Sequence, residues 1–125
     1  MIKFIPLSTL KNTTATVNFC KECKIPVFIT RNGAVEMVIT DSDFYDKYFE
    51  PYMLNGEIDI NKVLEYFPLF INIKDFKNTG EVSKKVAESK QAVHILKNEL
   101  SELVIMNLDV YNRYRISALN GINTH

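Results

Sequence analysis

The chain has 125 residues, room for one domain or two small ones, and its 46% apolar and 24% charged content is that of a folded globular protein rather than a disordered one. Fifteen basic residues balance fifteen acidic ones, so any nucleic-acid surface has to come from how charge is arranged, not from its sum. Two cysteines are too few for a disulfide scaffold, no stretch approaches the roughly 18 apolar residues of a membrane span, and the opening Met1-Ile2-Lys3-Phe4-Ile5-Pro6 is too short in apolar length for a signal peptide; a reducing, cytoplasmic setting without a membrane partner is expected.

In chain order, residues 4–8 read as a short extended segment. A helix is expected from about Thr13, with that hydroxyl as N-cap and Val17 and Cys20 on its buried face. Two apolar strands, 26–31 and 35–40, flank Asn32-Gly33, the strongest short hairpin signal because both turn residues need positive φ. A second helix is expected from about Ser42, carrying Phe44, Tyr45 and Tyr48. In residues 50–67, Pro51 and Asn55-Gly56 break the chain, and Ile60, Val63, Leu64 and Phe67 then follow at i, i+3, i+4 and i+7, the spacing of an amphipathic helix. Glu50, Glu57, Asp59 and Glu65 against Lys62 make this segment acidic as well as apolar, unlike a passive spacer. Residues 70–74 are extended again. A helix from about Thr79 sets Val82 and Val86 on one face, and the apolar runs around residues 93–97 and 103–106 read as strands. A last helix from about Asp109 carries Val110, Tyr111 and Tyr114 and is expected to stop at Asn120-Gly121.

The order repeats itself. Lys11-Asn12-Thr13 recurs as Lys77-Asn78-Thr79, a shift of 66 (77 − 11), and without a gap Glu22 then meets Glu88, Val27 meets Val93, Ile29 meets Ile95, Asn32 meets Asn98 and Glu36 meets Glu102. The same register brings Val38-Ile39 onto Val104-Ile105 and Asp43, Tyr45 and Tyr48 onto Asp109, Tyr111 and Tyr114. The chain therefore reads as two β-α-β-β-α units, an α+β class: residues 1–49, an acidic amphipathic helical linker 50–67, and residues 68–125 with a short tail.

The unit resembles the prevent-host-death (Phd/YefM) type II antitoxin family. The residues that carry the resemblance are Ile5-Pro6-Leu7-Ser8, Leu10-Lys11-Asn12, Pro26-Val27-Phe28-Ile29-Thr30-Arg31-Asn32-Gly33, Met37-Val38-Ile39 and Tyr45 in the first copy. In the second they are Phe76-Lys77-Asn78-Thr79, Val93-His94-Ile95-Leu96-Lys97-Asn98, Leu103-Val104-Ile105-Met106 and Tyr111. The resemblance implies a dimer whose subunits join strands into one shared antiparallel sheet with helices on one face, here an intramolecular pseudo-dimer with further homo-oligomerisation left open. It also implies binding to operator DNA as an autorepressor, and neutralisation of a partner toxin.

On that footing the DNA-binding candidates are Lys11, Asn12, Lys77 and Asn78 before the first helix of each copy, where a cation sits beside free backbone N–H groups. Arg31, Asn32, Lys97 and Asn98 at the hairpin tips complete the set; Arg31 can reach a base edge bidentately where Lys97 cannot. The plainer reading makes these solvated cations and turn-forming asparagines. The second copy departs at Glu99, which replaces the turn glycine and suggests a longer or differently shaped turn, and at Gln91-Ala92 and Leu96. A toxin-binding segment is expected at Tyr52, Ile60, Val63, Leu64 and Phe67, against the alternative that this helix packs on its own sheet.

Cys20-Lys21-Glu22-Cys23 has no second ligand pair, and His94 and His125 stand apart, so no metal site and no cofactor are expected; Cys20 reads as a small core hydrophobe and His94 as a strand histidine that is either satisfied or exposed. No nucleophile elbow or phosphate loop asks for catalysis. The six tyrosines and eight phenylalanines fall at helix or strand spacings that suit a core. The competing functions are an antitoxin, a stand-alone DNA-binding regulator without a toxin, and a protein–protein interaction module that has lost DNA binding.

Overall fold

The computed structural model describes residues 2–50 and 69–123, with side chains as far as residue 116. Strand β1 (Lys3–Pro6) leads through a 3-10 turn (Leu7–Lys11) into α1 (Thr13–Cys23); β2 (Val27–Arg31), β3 (Ala34–Asp41) and α2 (Ser42–Tyr48) follow. Strand β4 (Leu69–Asn72), a second 3-10 turn (Ile73–Lys77), α3 (Thr79–Glu88), β5 (Val93–Lys97), β6 (Leu100–Asn107) and α4 (Leu108–Asn123) repeat that order, and each element begins 66 positions after its counterpart.

The strands form one six-stranded sheet in the order β1-β2-β3-β6-β5-β4. The sheet is mixed, which corrects the antiparallel expectation: β1 runs parallel to β2 and β4 parallel to β5, whereas β2–β3, β3–β6 and β5–β6 are antiparallel. The parallel pairs follow from connectivity, since a 3-10 turn and a helix carry the chain from β1 back to the start of β2. At the centre Ile39 lies opposite Ile105, Val38 opposite Met106 and Thr40 opposite Val104.

Helices cover both faces of the sheet, a second correction. Strand alternation turns Ile5, Val27, Ile29, Met37 and Ile39, with Ile71, Val93, Ile95, Leu103 and Ile105, to the face where α1 and α3 set Val17, Cys20, Val82 and Val86. Val38, Val104 and Met106 point the other way, under Tyr45 and Phe49 at α2 and Val110 and Tyr114 of α4. The physical reason is in the central strands themselves. Met37 to Asp41 and Leu103 to Met106 are buried without interruption, the pattern of a strand covered on both sides. Leu10 and Phe76, at equivalent places in the two 3-10 turns, are fully buried and seal the α1/α3 layer.

Several local expectations change in detail. The N-caps are Asn12 and Asn78 rather than the threonines, and the Asn12 side chain accepts a hydrogen bond from the Ala15 N–H at 3.1 Å. Helix α4 continues through Asn120-Gly121 to Asn123; one helical glycine costs only about 1 kcal/mol against alanine and does not by itself end a helix. The second hairpin turn keeps the length of the first. Asn32 and Gly33 have φ of 52° and 80°, Asn98 and Glu99 have 51° and 67°, so Glu99 adopts the left-handed conformation that glycine adopts at position 33.

Across the α2/α4 layer runs a chain of rings. Phe4 on one edge strand meets Phe28, which meets Tyr111, which meets Phe49; Tyr45 continues to His94, and His94 meets Phe70 on the other edge, with centroids 5.4 to 6.2 Å apart throughout. His94 stands where the first half has Phe28, and its Nδ1 lies 3.0 Å from the Ser101 hydroxyl, itself 2.8 Å from that of Ser42. It is a satisfied strand histidine. Burial holds its imidazole below the ordinary range while the charge of Asp46 pulls the other way.

Two outcomes follow from the turn and the histidine. Replacing Glu99 by Gly removes positive-φ strain and is expected to stabilise the fold by about 1 kcal/mol, whereas Gly33→Glu is expected to destabilise it by about as much; urea denaturation midpoints read both, and a Glu99→Gly variant no more stable than wild type contradicts the strain. Because the folded imidazole resists protonation, its contribution is full above the unfolded value of about 6.5 and is lost as pH falls through the lower folded value. Glu50, held above the ordinary carboxylate range by burial and by Asp46, works in the opposite direction on acidification. The histidine is therefore read as a difference: stability of wild type is expected to fall relative to His94→Phe between about pH 7.5 and 5.5, and parallel pH profiles would show that His94 is not held neutral.

Candidate nucleic-acid interface

Pro6 ends β1 opposite Thr30, so β1 finishes beside the tip of the β2–β3 hairpin. The 3-10 turn that follows buries Leu10 and brings Lys11 to the start of α1; Asn72 ends β4 opposite Leu96, and the turn after it buries Phe76 and brings Lys77 to the start of α3. The two 3-10 turns touch each other, and each touches the opposite helix, α3 or α1. Lys11 and Lys77 thus lie on the α1/α3 side of the sheet, each next to helix N–H groups that lack intrahelical partners. Both are exposed, and among the described residues neither makes an ion pair.

The asparagines beside them have local duties. Asn12 caps α1, and Asn78 holds the same N-cap position without a side-chain cap bond. Asn32 and Asn98 supply the positive φ that opens each two-residue turn. All four are exposed residues.

The two hairpin tips are not alike. Arg31, with 55% of its side chain exposed, places Nη1 3.4 Å from the Ser83 hydroxyl and 3.6 Å from Glu36 Oε1, and the Ser83 hydroxyl donates to that same carboxylate. Ser83 belongs to α3, so a residue of the second half contacts an arginine of the first. On the other side Lys21 of α1 lies 3.0 Å from Asp41 and 3.1 Å from Glu102, the counterpart of Glu36. Burial works against that ammonium, but hydrogen bonds to Asp41 and Glu102 outweigh it and hold Lys21 above the ordinary lysine range. Lys97 is exposed and makes no ion pair among the described residues.

Sequence reasoning missed Glu36, Ser83 and Lys21 as partners of this surface. Glu36 and Glu102 are identical in the two copies, which was a signal; Ser83 and Lys21 face Val17 and Ala87 across the offset and gave none. The expected toxin-binding residues Tyr52, Ile60, Val63, Leu64 and Phe67 lie outside the described residues, as does the linker beyond Glu50.

Cys20 is fully buried and burial pushes its thiol up to about 12, far from a reactive thiolate; Cys23 is half-buried. Among the described residues no group of three or more His, Cys, Asp or Glu side chains is placed to hold a metal ion, and no helix is long and apolar enough to cross a membrane. No family model, no curated protein and no solved structure matches the chain.

Proposed function

We propose that this protein is a single-chain antitoxin of the Phd/YefM type: a cytoplasmic DNA-binding autorepressor, built as an intramolecular pseudo-dimer, that also binds and neutralises a partner toxin. The observation that carries the reading is the register of β3 on β6. Ile39 faces its own counterpart Ile105, Val38 faces Met106 (the counterpart of Thr40), and Thr40 faces Val104 (the counterpart of Val38). Reciprocal pairing of this kind is what a twofold axis through the Ile39–Ile105 pair requires.

Such an axis gives the candidate residues a geometry suited to duplex DNA. From Ala34 to Leu100, the first strand residues after the two tips, the antiparallel register counts ten residue steps, about 34 Å at the rise of an extended strand. That matches the roughly 34–36 Å between successive half-sites on one face of B-DNA. Lys11 and Lys77, beside the helix N-termini near the axis, suit phosphates, and Arg31 and Lys97 at the tips suit the groove. The toxin-binding part rests on the apolar and acidic character of residues 50–67, which would suit a basic partner. A regulator without a toxin would use the same DNA surface, and an interaction module would use neither cation pair.

The decisive measurement is a titration against the DNA upstream of the chain's own coding sequence at two salt concentrations. Binding is expected to weaken with salt, Arg31→Ala to lose about 10- to 100-fold in affinity, and the double variant Lys11→Ala/Lys77→Ala to lower the log–log salt slope by about 1.8, two phosphates' worth. Binding no tighter than to arbitrary DNA sinks the repressor reading. Co-expression with the protein encoded beside it tests the remainder: growth arrest relieved by this chain is expected, and no arrest removes the toxin.

A further inference from the structure

We infer that base-specific reading is confined to the half that carries Arg31, while the half that carries Lys97 contributes phosphate attraction only, so that this chain recognises an asymmetric DNA site; the inference rests on the DNA-binding reading above. Three differences between the tips carry it. The first tip, Arg31-Asn32-Gly33-Ala34, carries one positive charge and no acid, whereas Lys97-Asn98-Glu99-Leu100 carries a carboxylate next to its lysine and presents Leu100 largely to solvent. A carboxylate at a tip approaching DNA is repelled by the phosphates on either side of the groove.

The second difference is in the cations. Arg31 is oriented through one nitrogen, Nη1, by Glu36 and Ser83, and the rest of its planar fork remains for a base edge at a reduced entropic cost. An ammonium on a flexible stem with no such anchor acts as a point charge.

The third is the origin of that anchoring. Glu102 is taken by Lys21 of α1; the counterpart of Lys21 on α3 is Ala87, so Glu36 meets no such lysine and engages Arg31 instead. Ser83, which bridges Arg31 and Glu36, has Val17 as its counterpart and so has no equivalent beside Lys97. Two substitutions in the helices thus decide which tip holds an oriented donor.

The test is selection of the full chain against a pool of randomised duplexes, which finds a preferred site without one being assumed. A motif with one strong block of base preference and a weak or featureless second block is expected. Two equal blocks in inverted repeat overturn the inference and leave DNA binding standing, whereas no enrichment over arbitrary DNA overturns the DNA-binding reading itself. Arg31→Lys is expected to flatten the strong block by about 10- to 100-fold in preference while affinity for arbitrary duplex changes less than about twofold. Lys97→Ala is expected to weaken every duplex alike with the motif intact; loss of the block in Lys97→Ala but not in Arg31→Lys overturns the assignment of halves. Ala87→Lys should draw Glu36 off Arg31 and broaden the motif, and Lys97→Arg with Glu99→Gly should make a second block appear. Denaturation midpoints of each variant separate these effects from loss of fold.

Discussion

The antiparallel ladder between β3 and β6 is the interaction on which the rest of this structure depends. It joins two three-stranded halves into one sheet and fixes which residues face which layer. With Ile39 opposite Ile105, the odd positions Met37, Ile39, Leu103 and Ile105 enter the α1/α3 core, and Val38, Val104 and Met106 enter the α2/α4 core. A slip of one residue would exchange these sets, and the slipped pairing would set the two halves against opposite layers. Both central strands are buried on both sides, so neither half could expose its third strand without uncovering apolar surface on two faces. The ladder therefore covers apolar surface of each half as well as joining them.

Helices reinforce the ladder by crossing it. Lys21 of α1 reaches Glu102 of β6, Ser83 of α3 reaches Glu36 of β3, and Ser42 at the start of α2 meets Ser101 of β6. Each of these polar contacts joins residues from different halves. The Lys21–Glu102 pair is partly exposed and by itself worth little, whereas Ser42 and Ser83 are buried, and together these contacts decide which charged groups remain available at the surface.

Much of this was legible in the sequence because it is local or periodic. The offset of 66 read from residue identities is the offset of the element bounds, and the asparagine turns and the core positions of α1 and α3 lie where spacing put them. Layering was less legible. The runs Met37-Val38-Ile39-Thr40 and Leu103-Val104-Ile105-Met106 carry the mark of two-sided burial, whereas the family resemblance implied helices on one face. Glu99 misled for a different reason: the rest of the hairpin register outweighs about 1 kcal/mol of backbone strain, so the turn keeps its shape around an unfavourable residue. The anchoring of Arg31 was not legible at all, since Ser83 lies 52 positions away and reaches it only through the packing of α3 on the shared sheet.

Joining the halves in one chain also changes what substitution can do. Between two identical subunits every change appears twice, so a group that favours one side of the axis is imposed on the other. In a single polypeptide the change appears once, and two halves joined covalently stay at high effective concentration while the contacts between them diverge. In the central ladder one flank of Ile39–Ile105 holds Val38 against Met106 and the other holds Thr40 against Val104, two combinations that identical chains could not have side by side. The same freedom separates Phe28 from His94, Gly33 from Glu99, Asp41 from Asn107 and Lys21 from Ala87. Asp41 holds Lys21, while Asn107 donates to the carbonyls of Val86 and Ser89 and caps α4 by accepting from the Val110 N–H. Residues at equivalent places thus perform different work, one pinning a helix flank by charge and the other by neutral hydrogen bonds. A fold whose two core clusters each draw on both halves can keep the shared ladder under tight constraint and let the periphery specialise.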